Sequence, residues 1–181
     1  MFDIITHARA PAGTLIMETI TPAGSQRCAC CDFQPARTRV AGTPLCLTCA
    51  PAYALDQDGL DHLAHLIWMP RFDQGVLSRM VRAIHAANLL AESVTDTAIH
   101  DQAQRGKHIL DALIRTRGQA RECLGIDSLT QLRKTVSSMA VREFVGRSSM
   151  TGLRVLLYRP AWFAPDVDLY RQDLLTALDT P

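Results

Sequence analysis

The sequence predicts a mostly helical α+β protein in which a small cysteine-rich module precedes a helical region. Two cysteine pairs lie within residues 28–49, short apolar runs rich in Thr and Ile precede them, and regular helical spacing of apolar residues begins after Asp73. The chain has 181 residues, of which 48% are hydrophobic and 20% charged, so it can bury one sizeable core. This composition, with a net charge of +1, excludes disordered and collagen-like classes.

The first region, residues 1–70, is predicted to hold short extended segments and the cysteine module. Residues 2–5 and 14–20 are apolar runs bounded by turns that contain Pro and Gly, which is typical of strands. After the cysteines, residues 60–69 predict a short helix followed by a strand that carries its apolar residues into the core.

The second region, residues 71–181, is predicted to be helical and to pack on the first as one continuous unit. Asp73 suits the N-cap of a helix with one apolar face. A second helix is predicted from near Thr95 or Asp96 to just before Gly118, which suits a C-terminal cap, and Gly106 could bend this helix.

The remaining elements follow in the same way. Asp127 or Ser128 is predicted to cap another helix. Residues 153–157 form a compact apolar run that suits a short strand, and Asp166 or Asp168 is predicted to begin the last helix.

The strongest chemical signal is the pattern C-x2-C-x14-C-x2-C. Two residues between cysteines allow a tight turn to aim both thiolates at one tetrahedral centre, and a hairpin between the pairs would bring them together. We therefore assign structural Zn2+ to this module. Four thiolates fill the coordination sphere and leave no position for an activated water, so the metal would stabilise the fold. The predicted ligands are Cys28, Cys31, Cys46 and Cys49.

Some alternatives remain open at this site. Cys30 could replace Cys28 as a ligand. An iron–sulfur cluster is possible, although two C-x2-C turns, each called a knuckle here, around a short hairpin are more typical of zinc. The segment after Cys46 can turn into a helix over residues 50–55. A knuckle, a hairpin and a second knuckle at a helix start together predict a treble-clef finger.

The location of the protein is predicted from its first residues and its cysteines. Residues 1–10 lack the basic start and the continuous apolar centre of a secretory signal. The longest stretch without a charged side chain, residues 40–55, is too short to span a membrane. Cysteines clustered in one region favour a metal site over a secreted disulfide framework. We expect a cytoplasmic protein.

Catalytic motifs are not found in the sequence. It has no phosphate-binding glycine loop, no dinucleotide fingerprint and no nucleophile elbow. His62 and His65 could share a helix face, but no H-E-x-x-H pattern surrounds them, and structural roles are the simpler interpretation. Between Arg71 and Arg154 there are 13 basic and 8 acidic residues, interleaved at helical spacing, which favours a solvated helical surface over a nucleic-acid track.

Four segments of the chain resemble one family. They are Leu-Ile-Trp-Met-Pro at 66–70, the helical segment 73–87 with its Arg-Ala-Ile, Gly-Leu-Arg-Val-Leu at 152–156, and the aromatic and amphipathic segment 162–178. Together with the zinc knuckles, they resemble the IcmJ/DotN family of type IVB secretion and conjugation systems.

The resemblance implies a fold similar to HNH nucleases and a role as a non-catalytic, zinc-containing adaptor in the cytoplasmic coupling complex. Its partners would be the coupling ATPase, through a flexible segment, and the associated subunits, which can bring the protein to the inner membrane. We expect Trp68, Trp162 and Phe163 to contact the partner, because apolar grooves of this kind receive peptide segments.

Nuclease activity is not expected. An HNH nuclease needs a histidine base and usually an asparagine between its cysteine pairs, and residues 32–45 contain neither. A metal-dependent nuclease would instead need His62 or His65 to approach the knuckles. The other alternative is a zinc-finger nucleic-acid binder, which the weak net charge disfavours. It would use Arg37, Arg39, Arg79, Arg82, Arg105 and Lys107.

Overall fold

The structure is a computed structural model that describes residues 3–21, 26–140, 152–159 and 167–176. It is an α+β fold with about 50% helix and 14% strand, as predicted. Within the described residues, no helix combines the length and the apolar character needed to cross a bilayer.

Three strands lie near the N-terminus, and, among the described residues, four consecutive helices separate the last two strands. The helices are α1 (Ile4–His7), α2 (Leu60–Leu63), α3 (Gln74–Ser93), α4 (Thr97–Arg115), α5 (Arg117–Leu124), α6 (Leu129–Ser138) and α7 (Val167–Thr176), with a 3-10 turn at Ala50–Ala52. The strands are β1 (Met17–Thr19), β2 (Thr38–Val40), β3 (Thr43–Leu45), β4 (Ala64–Trp68) and β5 (Leu153–Leu157). The first three strands form one antiparallel sheet in the order β1-β2-β3.

The N-terminal prediction is wrong in its first part. Residues 4 and 5 belong to helix α1 and not to an extended segment, because the Asp3 carboxylate accepts a hydrogen bond from the Ile5 amide at 3.0 Å and caps the helix. Residue 2 lies outside the described residues. The second apolar run does contain a strand, β1.

The long helices begin where the capping residues predict. Asp73 accepts a hydrogen bond from the Val76 amide at 2.7 Å at the start of α3, and Asp96 caps α4. The predicted cap at Gly118 is wrong, since this residue lies inside α5. Gly106 marks a close approach of two helices: a Cβ atom there would lie 3.1 Å from the Ile84 side chain on α3.

Strands β4 and β5 join the two predicted regions of the chain. They pair antiparallel, from Ala64 opposite Leu157 to Trp68 opposite Leu153, and every residue of β5 is buried. The free edge of β5 is covered by the buried side chain of Gln74, which donates to the Val155 carbonyl at 2.8 Å and accepts from the Val155 amide at 2.9 Å. The first residue of α3 is thereby fixed to the central strand pair.

Three arginines in the basic part of the chain are buried, so the prediction of a solvated surface is wrong for them. Arg82, Arg133 and Arg154 are 6%, 5% and 1% exposed. The Arg133 guanidinium donates two hydrogen bonds to Asp56, at 2.7 and 2.9 Å. It also donates to the backbone carbonyls of Ala8, Ala10 and Pro11, which fixes α6 to the N-terminal segment.

The Asp56 carboxylate makes the stability of the fold sensitive to acid. Its pKa lies below the usual value of 3.8, because Arg133 and the Leu15 amide stabilise the charged form despite burial. This stabilisation is complete above pH 3.8 and is lost as the pH falls through the lower pKa of the folded state. In chemical denaturation, the free energy of unfolding should fall steeply between pH 6 and pH 2. This fall should be smaller in D56N and unchanged in D58N, which alters an exposed neighbour of Asp56. Equal acid sensitivity of all three proteins would contradict this assignment.

Candidate metal centre

A tight hairpin brings the two cysteine pairs together. Strands β2 and β3 are connected by Ala41 and Gly42, both with positive φ (46° and 80°), which is the geometry of a type I′ turn. The first knuckle is tied to β3 by a hydrogen bond of 2.9 Å from the Ala29 amide to the Pro44 carbonyl. Since Cys46 follows β3 directly, the hairpin places the second knuckle beside the first.

Each knuckle is closed by its own backbone. In the first, the Asp32 amide donates to the Cys28 carbonyl at 2.9 Å. In the second, the amides of Cys49 and Ala50 donate to the Cys46 carbonyl at 3.1 and 3.0 Å. These turns hold the two thiols of each pair on the same side of the backbone, as the C-x2-C spacing predicts.

The four predicted ligands form one buried sulfur cluster. The sulfur atoms of Cys28, Cys31, Cys46 and Cys49 all lie within 4.8 Å of one another, and those of Cys31 and Cys46 are 3.9 Å apart. A tetrahedral ion with metal–sulfur bonds of about 2.3 Å separates its ligand sulfurs by about 3.8 Å. The cluster therefore fits one mononuclear ion. A multi-iron cluster would hold the cysteine sulfurs farther apart, because several irons and sulfides stand between them.

The four thiols of the cluster have pKa values shifted in opposite directions. Hydrogen bonds from Cys28, Cys46 and Cys49 stabilise the Cys31 thiolate and lower its pKa far below the ordinary value. The pKa of Cys28 is lowered to about 7, because the hydrogen bonds from Cys46 and Cys49 outweigh the opposing effect of Cys31. Cys46 and Cys49 have raised pKa values, caused by their hydrogen bonds to Cys28 and then by burial. Binding of a metal would thus displace protons from this cluster.

Helix α3 packs directly on the first knuckle. A Cβ atom at Gly75 would lie 2.4 Å from the carbonyl oxygen of Cys30 and 3.0 Å from the Cα of Cys31. Glycine is therefore required here for close approach and not for its backbone angles. The sulfur cluster is thus part of the main core, although the sequence does not distinguish Gly75 from any other helical residue.

Replacing Gly75 with alanine is expected to lower the free energy of unfolding by at least about 2 kcal/mol, because the helix must move away from the knuckle backbone. The matched control is Gly118→Ala on α5, where an added Cβ meets nothing within 4 Å. That change should stabilise the protein by about 1 kcal/mol, the usual gain of alanine over glycine in a helix. Urea unfolding of both variants measures the difference. Similar stabilities would show that α3 is not seated on the knuckle.

The C-terminal helix α7 reaches the second knuckle through buried polar groups. The Tyr170 hydroxyl shares a hydrogen bond of 2.9 Å with Nδ1 of His85, and the side chain of Thr48, between the second pair of cysteines, lies beside the same hydroxyl. Burial lowers the pKa of His85 to about 4, so the imidazole is neutral at pH 7. Both residues are 0% exposed, and the sequence pattern does not identify either of them as the other's partner.

A buried ion pair accompanies this network. Arg82 on α3 donates to the Asp173 carboxylate on α7 at 2.6 Å and also to its backbone carbonyl. Nε of Arg37, on the hairpin side, lies 3.6 Å from the same carboxylate. Asp173 therefore connects the cysteine module, α3 and α7.

The segment after the second knuckle differs from the predicted helix over residues 50–55. It forms only the 3-10 turn at Ala50–Ala52, closed at Tyr53. The chain then leaves helical geometry, and the Asp56 carboxylate accepts hydrogen bonds from Arg133 and Leu15. The helix that packs against the knuckles is α3, which comes later in the chain.

The structure describes one of the three predicted partner-binding residues, Trp68. Trp68 is half-buried at the end of β4, and its ring covers Gly152, where a Cβ would lie 2.9 Å from the ring atoms. Trp162 and Phe163 lie outside the described residues. Phe72, which follows Trp68 in the loop before α3, is 39% exposed and extends the apolar surface at this end of β4.

The histidines of the nuclease alternative do not join the sulfur cluster. His62 is exposed on α2, and the half-buried ring of His65 lies 5.4 Å from that of Tyr158. Burial lowers the pKa of His65, and the positive charge of Arg117 adds to the effect. In the described part of the chain, the four cysteines are the one group of side chains arranged to hold a metal ion.

Comparisons of the chain with models of protein families, with curated proteins and with solved structures gave no match. The geometry of the sulfur cluster and the surfaces around it are therefore the basis for a functional assignment.

Proposed function

We propose that this protein is a non-catalytic adaptor, stabilised by structural zinc, in the coupling complex of a bacterial type IVB secretion or conjugation system. In this role it binds a segment of the coupling ATPase. The closed, buried site of four sulfur atoms supports the zinc-stabilised, non-catalytic part of this proposal. The place in the coupling complex rests on the resemblance of four chain segments to the IcmJ/DotN family.

Zinc is the metal that this donor set favours. Four thiolates in a tetrahedron are typical of structural zinc sites, and zinc has no need of a redox partner or an open position. Cys28, Cys31, Cys46 and Cys49 would hold the ion, and all four are less than 9% exposed. Zinc bound there supplies folding free energy to a module whose strands are only three residues long.

A treble-clef or HNH-like arrangement is the proposed fold of the module. A β-hairpin carries the two knuckles, and α3 packs against them through Gly75. In a nuclease of this fold, an open metal site and a histidine base would activate water. The closed sulfur site and the separate placement of His62 and His65 favour a scaffold over a nuclease.

The nucleic-acid alternative loses part of its proposed contact surface. Arg82 is buried in its ion pair with Asp173, and Arg37 is turned toward the same carboxylate. Neither charge is therefore freely available to neutralise phosphates, on which affinity for nucleic acid depends.

The proposed docking surface is the apolar end of β4. Trp68 and Met69 are half-buried there, Pro70 and Phe72 are exposed, and the segment leads directly into the first turn of α3. Large aromatic side chains anchor peptide segments because they bury much apolar area at a small entropic cost. An apolar segment of the ATPase is the occupant that fits this surface.

The proposal is tested by affinity purification from the native bacterial lysate with the tagged, zinc-loaded protein, after nuclease treatment and a high-salt wash. Recovery of a coupling-type ATPase, identified by mass spectrometry, is expected. Trp68→Ala and Phe72→Ala should each reduce the recovery at least about tenfold, the effect of losing one aromatic anchor.

The control is Ile109→Ala, which removes an exposed apolar side chain of α4 that does not belong to this surface. It should leave the recovery unchanged. Circular dichroism of each variant separates loss of binding from loss of fold. Recovery of nucleic acid alone, released by high salt, would contradict the adaptor function and favour the nucleic-acid binder.

A further inference from the structure

A cleft of about 730 Å³ lies along helices α3 and α4 and is bordered by Tyr158 and Arg159, which follow strand β5. The amides of these two residues donate to the Leu63 carbonyl at 2.8 and 3.4 Å, which fixes this wall to the core. In the first turn of α4, Nε2 of His100 hydrogen-bonds to the Val94 carbonyl at 2.9 Å. The cleft is therefore built from anchored parts of the fold, and its size is typical of small-molecule sites.

The lining of the cleft is partly apolar and contains one unsatisfied polar atom. Ala103 and Leu110 of α4 are buried in it, and Ala91 of α3 is half-buried. Asn88, also on α3, has a buried Oδ1 atom without a hydrogen-bond partner. A buried acceptor without a donor is unfavourable, so a ligand that donates a hydrogen bond to this oxygen gains affinity.

Charged side chains surround the cleft without being paired to one another. In the part of the chain that the structure describes, Asp101, Lys107 and Arg159 are exposed and form no ion pair within 4 Å. Glu92 is different, since it lies 3.5 Å from Arg171. The rim thus offers a carboxylate and two cations to a ligand of complementary charge.

The fold separates these charges into two poles. Helices α3 and α4 are joined by a short loop and run antiparallel, with Ile84 facing Gly106. Asn88 lies one turn beyond Ile84, and Asp101 lies about one turn before Gly106, so Asn88 and Asp101 share one level of the helix pair. Lys107 lies about 9 Å from Asp101 along α4.

We propose that this cleft binds a zwitterion of dipeptide size, with its ammonium group at Asn88 and Asp101 and its carboxylate at Lys107 and Arg159. The ammonium group supplies the donor that the Asn88 oxygen lacks, and both poles form charge-assisted hydrogen bonds. Two extended residues span about 7 Å, close to the separation of the poles, whereas one amino acid spans about half of that. The apolar lining receives the side chains of the dipeptide. This site shares no residue with the sulfur cluster or with the docking surface at the end of β4.

The test titrates the full, zinc-loaded chain with the dipeptide leucyl-leucine by isothermal calorimetry. The wild-type protein should bind one molecule saturably. Acetylation of the amine of the dipeptide, or amidation of its carboxylate, should each reduce the affinity at least about tenfold, because each removes one charge-assisted contact. Absence of saturable binding, equal affinity for the three compounds, or equal affinity for free leucine would overturn the proposal.

Charge variants test the orientation of the ligand. Asp101→Asn and Lys107→Met should each reduce the affinity at least about tenfold. Arg105→Met, which removes an exposed charge of α4 outside the cleft, should bind as the wild type does. Asp111→Asn should not weaken binding, because Asp111 lines the cleft beyond Lys107, away from Asn88. Equal effects of the Asp101 and Asp111 variants would contradict the proposed poles.

Asn88→Leu separates a binding role from a structural one. The variant should lose affinity for leucyl-leucine at least about tenfold while its free energy of unfolding stays at or above the wild-type value, because Oδ1 has no partner to lose. Urea unfolding without ligand measures the second quantity. Unchanged affinity, or loss of stability without ligand, would overturn the role of Asn88 in the site.

Discussion

Replacing Cys49 with serine is expected to abolish the cooperative unfolding transition of the protein. Binding of structural zinc contributes about 10–16 kcal/mol in small zinc modules, and an entire domain is stable by only about 5–15 kcal/mol. Helix α3 also packs on the first knuckle at Gly75, and Thr48 of the second knuckle lies beside the Tyr170 hydroxyl of α7. Loss of one ligand therefore affects the main core as well as the hairpin. Thermal unfolding followed by circular dichroism measures the effect.

Cys123→Ser is the matched control, because Cys123 is half-buried and does not belong to the sulfur cluster. Its unfolding curve should match that of the wild type. A soluble Cys49→Ser protein that lacks metal and still unfolds cooperatively would show that the metal is dispensable for the fold.

Replacing Arg133 with methionine is expected to lower the free energy of unfolding by about 3–5 kcal/mol, the usual cost of removing one partner from a buried ion pair. The change leaves the Asp56 carboxylate without its cation and removes the donor to the carbonyls of Ala8, Ala10 and Pro11. Methionine has a similar length and apolar stem, so the decrease in the free energy of unfolding reflects the lost polar contacts more than lost packing. Urea denaturation at pH 7 measures it.

Lys134→Met provides the control, since Lys134 is the exposed neighbour on the same helix. Its unfolding free energy should change by less than about 0.5 kcal/mol, as for most surface substitutions. Arg133→Lys should still lose much of the stability, because a single ammonium cannot reach the carboxylate and three carbonyls with the geometry of a guanidinium. Equal stability of the Arg133 and Lys134 methionine variants would contradict the role of this network.

Short-range sequence patterns were sufficient to predict the starts of the two long helices and the sulfur cluster. Asp73 and Asp96 cap the two long helices because a carboxylate satisfies the first free amides of a helix wherever it stands in the chain. The cysteine spacing predicted the sulfur cluster for a similar reason, since each C-x2-C turn is fixed by its own backbone hydrogen bonds.

Features that depend on distant partners could not be predicted in this way. Gly75 and Gly106 have the same appearance in sequence as the unconfined Gly118, and only the packing partner distinguishes them. Similarly, Arg82 and Arg133 resemble surface arginines on amphipathic helices until Asp173 and Asp56 are brought to them from other elements.

The missing helix after the second knuckle has the same origin. Residues 50–55 have the composition to continue as a helix, but Asp56 accepts hydrogen bonds from Arg133 and from the Leu15 amide. These long-range contacts draw the chain out of helical geometry after one turn, closed at Tyr53. Tertiary contacts thus override a weak local propensity.

The central claim is that one zinc ion, held by four cysteine sulfurs with no open position, organises this protein. X-ray absorption at the zinc edge of the purified full chain tests it most directly. The account predicts a single shell of four sulfur neighbours at about 2.3 Å, with no nitrogen or oxygen neighbour. A shell that contains a light atom, or an iron signal with metal–metal scattering in place of zinc, would contradict it.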